Sequence, residues 1–347
     1  MDTKIIKIDE KSIDKNLINE AANIIRTGGI VAFPTETVYG LGANGLDEEA
    51  VKNIYKAKGR PSDNPLILHI STINDLYPLV EEIPSLANVC MDRFWPGPLT
   101  IIFKKSRVVP NIITAGLDTV AIRMPDNKIA KELISQSGVP IAAPSANLSG
   151  KPSPTRGIHV IQDMMGKIEM IIDGGDTGVG LESTVLDLST EIPTILRPGG
   201  ITLEELREVI PNVIQDRSIT NKEETPKSPG QKYRHYAPNA EMILYTGDVE
   251  KIVEEIRRTS KKLINDGKIV GIMATEETKD NYIEGNILVS GSRLKRETIA
   301  HDLFDILRCF DELNVDIILA EGVSFDNIGM AIMNRMVKAA SGKVIKL

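Results

Sequence analysis

The stretch from Ile30 to Ile70 decides the fold of this chain, and it reads IVAFPTETVYGLGANGLDEEAVKNIYKAKGRPSDNPLILHI. A short apolar run leads into a polar segment punctuated by glycines, an amphipathic helix follows, and a basic loop ends in a second apolar run. The first run is followed by hydroxyl and phenol groups, and the second is preceded by cations: Thr35, Thr37, Tyr39, Lys56, Lys58 and Arg60. This combination predicts a site for an anionic, phosphate-bearing ligand.

The composition of the chain is that of an ordinary globular protein. It has 347 residues, enough for two domains, and is 41% hydrophobic and 26% charged. With two cysteines and four scattered histidines, we expect neither a disulfide framework nor a Cys- or His-rich metal centre. The net charge of -7 disfavours broad coating of nucleic acid. Without an apolar signal core or a run of membrane-spanning length, the expected location is the cytoplasm, with no membrane partner.

Residues 1–210 alternate β-branched runs with helical patterns, which predicts an α/β domain with a mixed, twisted sheet and flanking helices. The predicted strands are Ile30–Phe33, Leu66–Ile70, Leu99–Lys104, Thr119–Met124, Ile141–Ala143, Met170–Asp173 and Thr184–Asp187. The predicted helices are Lys15–Thr27, Glu48–Lys58, Leu86–Phe94, Lys128–Ser137 and Leu203–Val209.

Residues 211–239 are polar and broken by proline and glycine, so they are predicted to be a linker. A solvated tether is the simplest interpretation, but Gln231–Pro238 is denser in aromatic and cationic groups than a tether needs. Residues 240–347 resume a regular β-α-β spacing, which predicts a smaller, Rossmann-like domain with a parallel sheet. The elements predicted there are strands Met242–Tyr245, Lys268–Ala274 and Asp316–Ala320 and helices Val249–Asn265, Leu294–Leu313 and Ile328–Lys338.

The glycines of Gly40–Gly45 match the dinucleotide pattern G-x-G-x-x-G between a strand and a helix. That pattern should place a pyrophosphate on the helix N-terminus. Here the N-terminus carries Asp47, Glu48 and Glu49, which complement the helix dipole and would repel phosphate. We therefore interpret the glycines as permitting a tight turn with positive φ rather than a nicotinamide or flavin site.

Polar groups also stand at or near the ends of later strands. Ser145 and Asn147 follow a strand, in a segment of small residues. Their side chains either bind a ligand or belong to an ordinary turn. Arg123 shares one face of an apolar strand with Thr119 and Ala121, and a buried guanidinium there needs an anionic partner. A carboxylate of the protein and a carboxylate of a substrate both remain open as that partner.

Several of these segments resemble one known family. Lys58-Gly59-Arg60 with Ser145-Ala146-Asn147 looks like the K-x-R and S-x-N signature of the YrdC-like family, and Pro34–Leu41 is similar to it as well. Ser228–Pro238 resembles the linker of the long, two-domain branch of that family, the threonylcarbamoyl-AMP synthases, with Gln231 where the linker usually has methionine. The resemblance covers nearly the whole chain.

The resemblance implies an enzyme that joins L-threonine, bicarbonate or CO2, and ATP into threonylcarbamoyl-adenylate and pyrophosphate, for formation of threonylcarbamoyladenosine next to the tRNA anticodon. It implies Mg2+ held mainly by the ATP phosphates, and separate tRNA-modifying threonylcarbamoyl transferase proteins as downstream partners. The residues it implies for ATP or the adenylate are Lys58, Arg60, Asn64, Ser145, Asn147, Ser153, Arg197, His235 and Tyr236, with Lys58 and Arg60 as the catalytic cations. The residues it implies for threonine are Thr35, Thr37, His69, Thr119, Arg123, Ala143 and Ser183.

The same resemblance makes Gln231–Pro238 a lid over the nucleotide, because a carbamate and its mixed anhydride hydrolyse easily and need a site without water. Two functions of other classes stay open. One is an RNA-binding module with weak affinity for RNA, and the other is a regulatory nucleotide-binding protein without turnover.

Overall fold

The computed structural model describes residues 1–216 and 235–347, which divide into two compact units. The first unit contains residues 1–149 and 153–216, and the second contains residues 150–152 and 235–347. Most of the predicted linker, residues 217–234, lies outside the described residues. The domain boundaries after residues 210 and 239 therefore stay a prediction.

The described part of the first unit contains eleven strands and seven α-helices. Its strands are β1 Lys4–Lys7, β2 Val31–Phe33, β3 Gly40–Asn44, β4 Ile67–His69, β5 Leu99–Lys104, β6 Thr119–Arg123, β7 Ile141–Ala142, β8 Met170–Asp173, β9 Thr184–Asp187, β10 Thr194–Arg197 and β11 Ile214–Gln215. Its helices are α1 Lys15–Arg26, α2 Glu48–Lys58, α3 Ser85–Phe94, α4 Asn111–Thr114, α5 Lys128–Ser137, α6 Gly157–Met164 and α7 Leu203–Val209.

These strands form one mixed sheet in the order β1-β8-β2-β3-β7-β4-β6-β5-β9-β10-β11. The sheet contains both parallel pairs, such as β4 with β6, and antiparallel pairs, such as β5 with β6. Two large buried apolar clusters line the sheet; one includes α2 and α3 residues, the other α1 and α5 residues. The mixed α/β fold predicted for this part of the chain is confirmed.

The polar, glycine-containing segment after β2 is not the tight turn that the sequence predicted. Gly40–Asn44 is strand β3, which pairs antiparallel with β2, and neither Gly40 nor Gly42 has a positive φ. A Cβ on Gly42 would lie 2.7 Å from Phe33 Cε1 and 2.8 Å from Ile141 Cγ2. Glycine is needed here because neighbouring side chains cross the strand closely, not because the backbone turns.

Helix α2 begins and ends where the sequence places its signals. Asp47 is the N-cap, and its carboxylate accepts hydrogen bonds from the amides of Glu49 and Ala50. Gly59 is the C-cap in the left-handed region, with φ of 61°. The predicted helix is confirmed at both ends, and its exit delivers Lys58 and Arg60 to the same loop.

The described part of the second unit has five strands and three α-helices. They are β12 Glu241–Thr246, α8 Val249–Asn265, β13 Val270–Ala274, β14 Asn286–Val289, α9 Arg296–Glu312, β15 Ile317–Glu321, α10 Gly329–Ala339 and β16 Val344–Lys346. The strand order is β14-β13-β15-β12-β16, and each of these pairs is parallel. The Rossmann-like parallel sheet predicted for residues 240–347 is confirmed.

Every predicted helix and strand agrees with the structure to within two residues at each end. The sequence missed short or partly exposed strands, namely β1, β10, β11, β14 and β16, and the short helices α4 and α6. Within the described ranges, no helix is both long and apolar enough to cross a lipid bilayer.

Candidate active site

Arg123, at the end of β6, is the centre of a buried polar cluster in the first unit. Its Nη1 donates to Thr37 Oγ1 at 2.9 Å, and its Nε donates to the Gly97 carbonyl at 3.2 Å. Its Nη2 lies 2.7 Å from Glu36 Oε1. The anionic partner that the strand face required is thus a carboxylate of the protein. A guanidinium has five N–H groups, and only Nε and Nη1 donate hydrogen bonds here. Nη2 has no hydrogen-bond partner among the described residues, so N–H groups remain for a substrate carboxylate.

Thr35 shapes the loop that carries Glu36 and Thr37. Its hydroxyl donates to the Val38 carbonyl at 2.6 Å and lies 2.9 Å from Thr37 Oγ1. The backbone amide of Thr37 donates to the same hydroxyl. Two of the predicted threonine-binding residues, Thr35 and Thr37, are therefore brought together with Arg123.

A polar row continues from Arg123 across the neighbouring strands. Arg123 lies opposite His69 of β4 on one side and Thr100 of β5 on the other. Thr100 Oγ1 is 2.7 Å from Ser183 Oγ. Arg197 of β10 donates to the Ser183 carbonyl from Nε and Nη2, at 3.1 and 2.9 Å. Opposed residues on paired strands share one sheet face, so β4, β6, β5 and β10 bring these groups into one region.

Ser183 is preceded by Glu182, whose Oε1 accepts a hydrogen bond from Ser153 Oγ at 2.6 Å. Ser153 and Glu182 are both buried. This contact places the predicted adenylate-binding Ser153 beside the row that contains Ser183 and Arg197.

Lys58 joins the two signature segments. Its ammonium donates to the carbonyl of Ser145 and, at 2.6 Å, to the carbonyl of Asn147. The amide of Ser149 in turn donates to the Lys58 carbonyl at 2.9 Å. The side chain is 3% exposed, so this cation is built into the fold rather than being a solvated surface charge.

Asn64, which is close to Lys58 and Arg60 in the sequence, has a side-chain amide without hydrogen-bond partners among the described residues. It is 1% exposed, and neither its Oδ1 nor its Nδ2 has a hydrogen-bond partner among the described residues. Its backbone carbonyl accepts from Tyr55 Oη at 3.1 Å and from Arg60 Nη2 at 3.3 Å. A buried amide with both ends unsatisfied costs stability unless a ligand completes it.

His69 is held neutral by its surroundings. Desolvation by burial and, to a smaller extent, the charge of Arg123 lower its pKa to about 3. Its Nδ1 is buried and has no hydrogen-bond partner within the described part of the chain. A neutral imidazole beside Arg123 offers hydrogen bonding without a second positive charge.

Two other predicted threonine-binding residues, Ala143 and Thr119, differ in how near they lie to Arg123. Ala143 follows β7, and its amide donates to the Ile67 carbonyl of β4, beside His69. Thr119 begins β6 while Arg123 ends it, so about 13 Å of strand separates them. The structure therefore brings Ala143 toward the Arg123 cluster, but it does not bring Thr119 there.

His235 and Tyr236, predicted to contact the adenylate, are described within the second unit. The Tyr236 ring stacks on Phe304 with centroids 5.1 Å apart, and the Arg335 guanidinium lies 5.9 Å from its centroid. The amide of Ala237 donates to the Gly150 carbonyl at 2.9 Å. Their role at the nucleotide stays a prediction, as does the lid, of which Gln231–Arg234 lies outside the described residues.

The sequence interpretation did not single out Glu36, Thr100 or Thr177 as site residues. Glu36 could have been found, because it lies between the two threonines of the quoted stretch. Thr100 lies inside an apolar strand, and only its register beside Arg123 reveals it. Thr177 is buried in a loop with no distinctive sequence pattern, and its hydroxyl has no hydrogen-bond partner among the described residues.

The part of the chain that the structure describes holds no group of three or more His, Cys, Asp or Glu side chains that could bind a metal ion.

Comparisons with known proteins match both units. The family model described as "Telomere recombination" matches residues 23–199, and the model described as "Threonylcarbamoyl-AMP synthase, C-terminal domain" matches residues 201–341. A threonylcarbamoyl-AMP synthase of Pyrococcus abyssi is 51% identical over 346 residues, covering 99% of this chain and 100% of the relative. One of Bacillus subtilis is 50% identical over 340 residues, covering 97% of each chain.

Solved structures agree with these matches. The crystal structure of P. abyssi Sua5 complexed with L-threonine is similar with a TM-score of 0.95 and 50% identity, covering 99% of this chain and 100% of that one. A second structure of that protein, in which a histidine and a tyrosine are replaced by alanine, matches with a TM-score of 0.94 and 49% identity, covering 99% of this chain and 98% of that one. The chain therefore belongs to the threonylcarbamoyl-AMP synthase family.

Proposed function

We propose that this protein is an L-threonylcarbamoyladenylate synthase, a nucleotidyltransferase that condenses L-threonine, bicarbonate or CO2, and ATP into threonylcarbamoyl-AMP and pyrophosphate. The observation that carries this proposal is the buried polar row from His69 through Arg123 and Ser183 to Arg197, in a fold shared with a threonine-bound relative. The alternatives of an RNA-binding module or a nucleotide binder without turnover are not favoured, because the full-length relatives carry the synthase name.

The chemistry requires two anions to meet and charge to move onto a leaving pyrophosphate. An oxygen of the threonine carbamate attacks the α-phosphorus, the bond from that phosphorus to the bridging oxygen breaks, and the electron pair leaves with pyrophosphate. Such a reaction needs positioning and positive charge more than a protein nucleophile. Arg60 would stabilise the triphosphate, and Lys58 would add charge while holding the segment from Ser145 to Asn147 in place.

The remaining contacts would divide between the two substrates. Arg123 would offer its remaining N–H groups to the threonine carboxylate, and neutral His69 would offer a hydrogen bond beside it. Asn64 would complete its unsatisfied amide on the nucleotide. The wider sets proposed are Ser145, Asn147, Ser153, Arg197, His235 and Tyr236 for the nucleotide and Thr35, Thr37, Ala143 and Ser183 for threonine; Thr119 is the weakest member of the threonine set.

Mg2+ would enter with ATP, because the phosphates supply the oxygen ligands that this ion prefers. When bound with ATP, it would supply positive charge that offsets the charge of the phosphates, in addition to the charges of Lys58 and Arg60. We further propose that the product passes to tRNA-modifying threonylcarbamoyl transferase proteins, and that any direct binding of RNA is weak. A reaction that serves tRNA would take place in the cytoplasm.

The test is release of pyrophosphate by the purified full chain in the presence of Mg2+. We expect release only when ATP, threonine and bicarbonate are all present, together with a product whose mass is that of threonylcarbamoyl-AMP. ATP binding without dependence of turnover on threonine and bicarbonate would contradict the proposal.

A further inference from the structure

We propose that Glu36 binds the α-ammonium group of threonine while Arg123 binds its carboxylate, so that the two side chains together recognise the zwitterion of a free α-amino acid. The proposal rests on the proposed function for the identity of the amino acid. It adds a residue that contacts the substrate at the nitrogen that becomes the carbamate.

Neither oxygen of the Glu36 carboxylate has a hydrogen-bond partner among the described residues, and Oε1 has only the ion pair with Arg123. Oε1 lies 2.7 Å from Arg123 Nη2, and the side chains of the pair are 13% and 5% exposed. Oε2 is buried and has no hydrogen-bond partner among the described residues. A carboxylate oxygen that is removed from water without a donor loses solvation that nothing replaces. This position therefore favours a ligand that brings an N–H group.

The position of this carboxylate is set by the fold. The Glu36 carbonyl accepts a hydrogen bond from the Val179 amide at 2.7 Å, which joins its loop to the loop after β8. On either side of it, Thr35 and Thr37 are held by the hydroxyl contacts of this loop and by Arg123. Because the backbone is fixed on both sides, Oε2 is presented as a prepared acceptor rather than as a freely moving surface charge.

The charges of the pair match the ligand. A guanidinium and a carboxylate side by side complement the carboxylate and the ammonium of an α-amino acid, which lie on adjacent bonds of one carbon. A simple carboxylic acid would satisfy Arg123 but leave Glu36 Oε2 without a charged donor. His69, which lies opposite Arg123 on the neighbouring strand β4, is neutral. It therefore adds no charge to the one guanidinium and one carboxylate of the pair.

Holding the ammonium has a consequence for the reaction. It places the nitrogen at one point next to Arg123, so that the lone pair, once a proton has left to solvent, is already oriented toward bicarbonate. The carbamate then forms as the amine and bicarbonate give R–NH–COO⁻ and water. Glu36 takes part in this sequence as the group that positions the nitrogen.

The experiment compares two ligands on two proteins, by calorimetry without ATP. The ligands are L-threonine and the matching 2,3-dihydroxybutanoate, which has a hydroxyl group in place of the α-ammonium. We expect the unaltered protein to prefer threonine by about 10- to 100-fold, the range for a hydrogen bond to a charged group. In Glu36→Gln this preference should shrink to within about 3-fold, chiefly through weaker binding of threonine.

Glu82→Gln is the matched control, because it makes the same change at a carboxylate that is 64% exposed and pairs with Lys104. It should leave both affinities unchanged. Equal weakening of both ligands in Glu36→Gln would show that Glu36 only braces Arg123, and would overturn the proposal. If that variant does not fold, the unaltered protein still decides: equal affinity for the two ligands overturns the proposal, and a clear preference for threonine supports it. Failure of the synthase activity would appear separately, in the pyrophosphate assay.

Discussion

Each unit of this protein buries an arginine–glutamate pair at a strand end or in a loop of its sheet, and the two pairs differ in how completely they are satisfied. Arg123 and Glu36 in the first unit form an ion pair, yet both carboxylate oxygens of Glu36 lack a hydrogen-bond partner in the described residues. Arg293 and Glu321 in the second unit leave neither carboxylate oxygen without a partner, and the Glu321 side chain is 0% exposed. The comparison separates a binding site from a structural ion pair that contains the same two residue types.

The second pair is closed by its neighbours. Glu321 Oε2 accepts from Arg293 at 2.6 Å and from Thr275 at 3.1 Å, and its Oε1 accepts from Tyr282 at 2.6 Å. Arg293 also donates to the carbonyl of Gly322. The pair lies at the carboxyl edge of a parallel sheet, where α/β domains commonly bind ligands. Both carboxylate oxygens of Glu321 already accept hydrogen bonds from the protein. The location of this pair at the carboxyl edge of the sheet therefore does not by itself indicate a ligand-binding site.

The largest expected effect is on stability in the second unit. Glu321→Ala should destabilise that unit by about 3–5 kcal/mol, because it leaves the partly buried Arg293 without its carboxylate and the buried Tyr282 hydroxyl without its acceptor. Hydrogen exchange of the Ile317–Glu321 amides measures the loss without assuming one unfolding step for both units. Glu255→Ala is the control and should change little, because its partner Arg258 on α8 is 77% exposed and stays solvated without it. A loss of threonine affinity as large as the loss of stability would break the distinction between the two pairs.

The next effect is on ligand binding in the first unit. Arg123→Ala should weaken threonine binding by about 2–5 kcal/mol, because a desolvated charge pair with the carboxylate is removed. ATP binding should change much less. Calorimetry with each ligand tests this, with the exposed Arg107→Ala as control. Equal losses for both ligands would mean that Arg123 supports the fold of the whole site rather than the threonine carboxylate.

Lowering the pH should destabilise the first unit through protonation of His69. Its folded pKa of about 3 lies below the unfolded value of about 6.5, so between those values the unfolded chain binds more protons. The stability that His69 contributes is complete above about pH 6.5 and falls on acidification, by at most about 1.4 kcal/mol per pH unit. His69→Asn should flatten this dependence for the first unit between about pH 4.5 and 6.5, measured by exchange of its sheet amides.

In the second unit, Glu277 titrates lower. Burial opposes its ionisation, but hydrogen bonds from Ser292 and from the Arg293 amide outweigh burial and lower its pKa to about 2. The contribution of Glu277 is therefore lost only below about pH 4.5, as the pH falls toward 2. Parallel acid sensitivity of both units above pH 4.5, unaffected by His69→Asn, would contradict the assignment.

A smaller effect is expected from Arg60→Lys. A planar fork with several donors is replaced by a point charge, so kcat/KM for adenylate formation should fall about 10-fold. Steady-state kinetics measures it, and Lys52→Arg is the control because Lys52 is exposed and pairs with Glu49. Unchanged turnover in Arg60→Lys and Arg60→Ala would identify Arg60 as a surface charge.

The smallest expected effect comes from Asn64, and it tests directly whether an unsatisfied buried polar group marks a binding site. Asn64→Leu removes a buried side-chain amide that has no partner among the described residues, so the melting temperature should not fall, while ATP binding should weaken by roughly 3- to 10-fold. Thermal melting and ATP titration of the same samples test this. A clear drop in stability without loss of ATP affinity would mean that the Asn64 side chain serves the fold.

The fold was predictable where local signals are strong. Asp47 and Gly59 mark both ends of α2, and the β-α-β spacing of residues 240–347 predicted the parallel sheet. Strand β3 was not predictable from its own residues, because glycine has no strand preference and only the packing of Phe33 and Ile141 explains it. β16 escaped notice because it is exposed along its whole length and shows no alternation.

The site was predictable as a set of residues but not as a set of contacts. The resemblance indicated Arg123 and Lys58, yet their partners, Glu36 and the carbonyls of Ser145 and Asn147, lie far away in the sequence and depend on strand register. Thr119 shares a strand face with Arg123, but the four-residue spacing along the strand already places it at the other end, so the resemblance alone supported its place in the site.

The parallel sheet of the second unit also bears on how that unit folds. Each of its strand pairs needs a crossover, so no hairpin can form early from neighbouring residues. Residues such as those of Val270–Ala274, all buried in the finished unit, must stay exposed until distant segments meet. Refolding of this unit from denaturant is therefore expected to be slow and concentration-sensitive, with association of exposed strands competing against completion of the sheet.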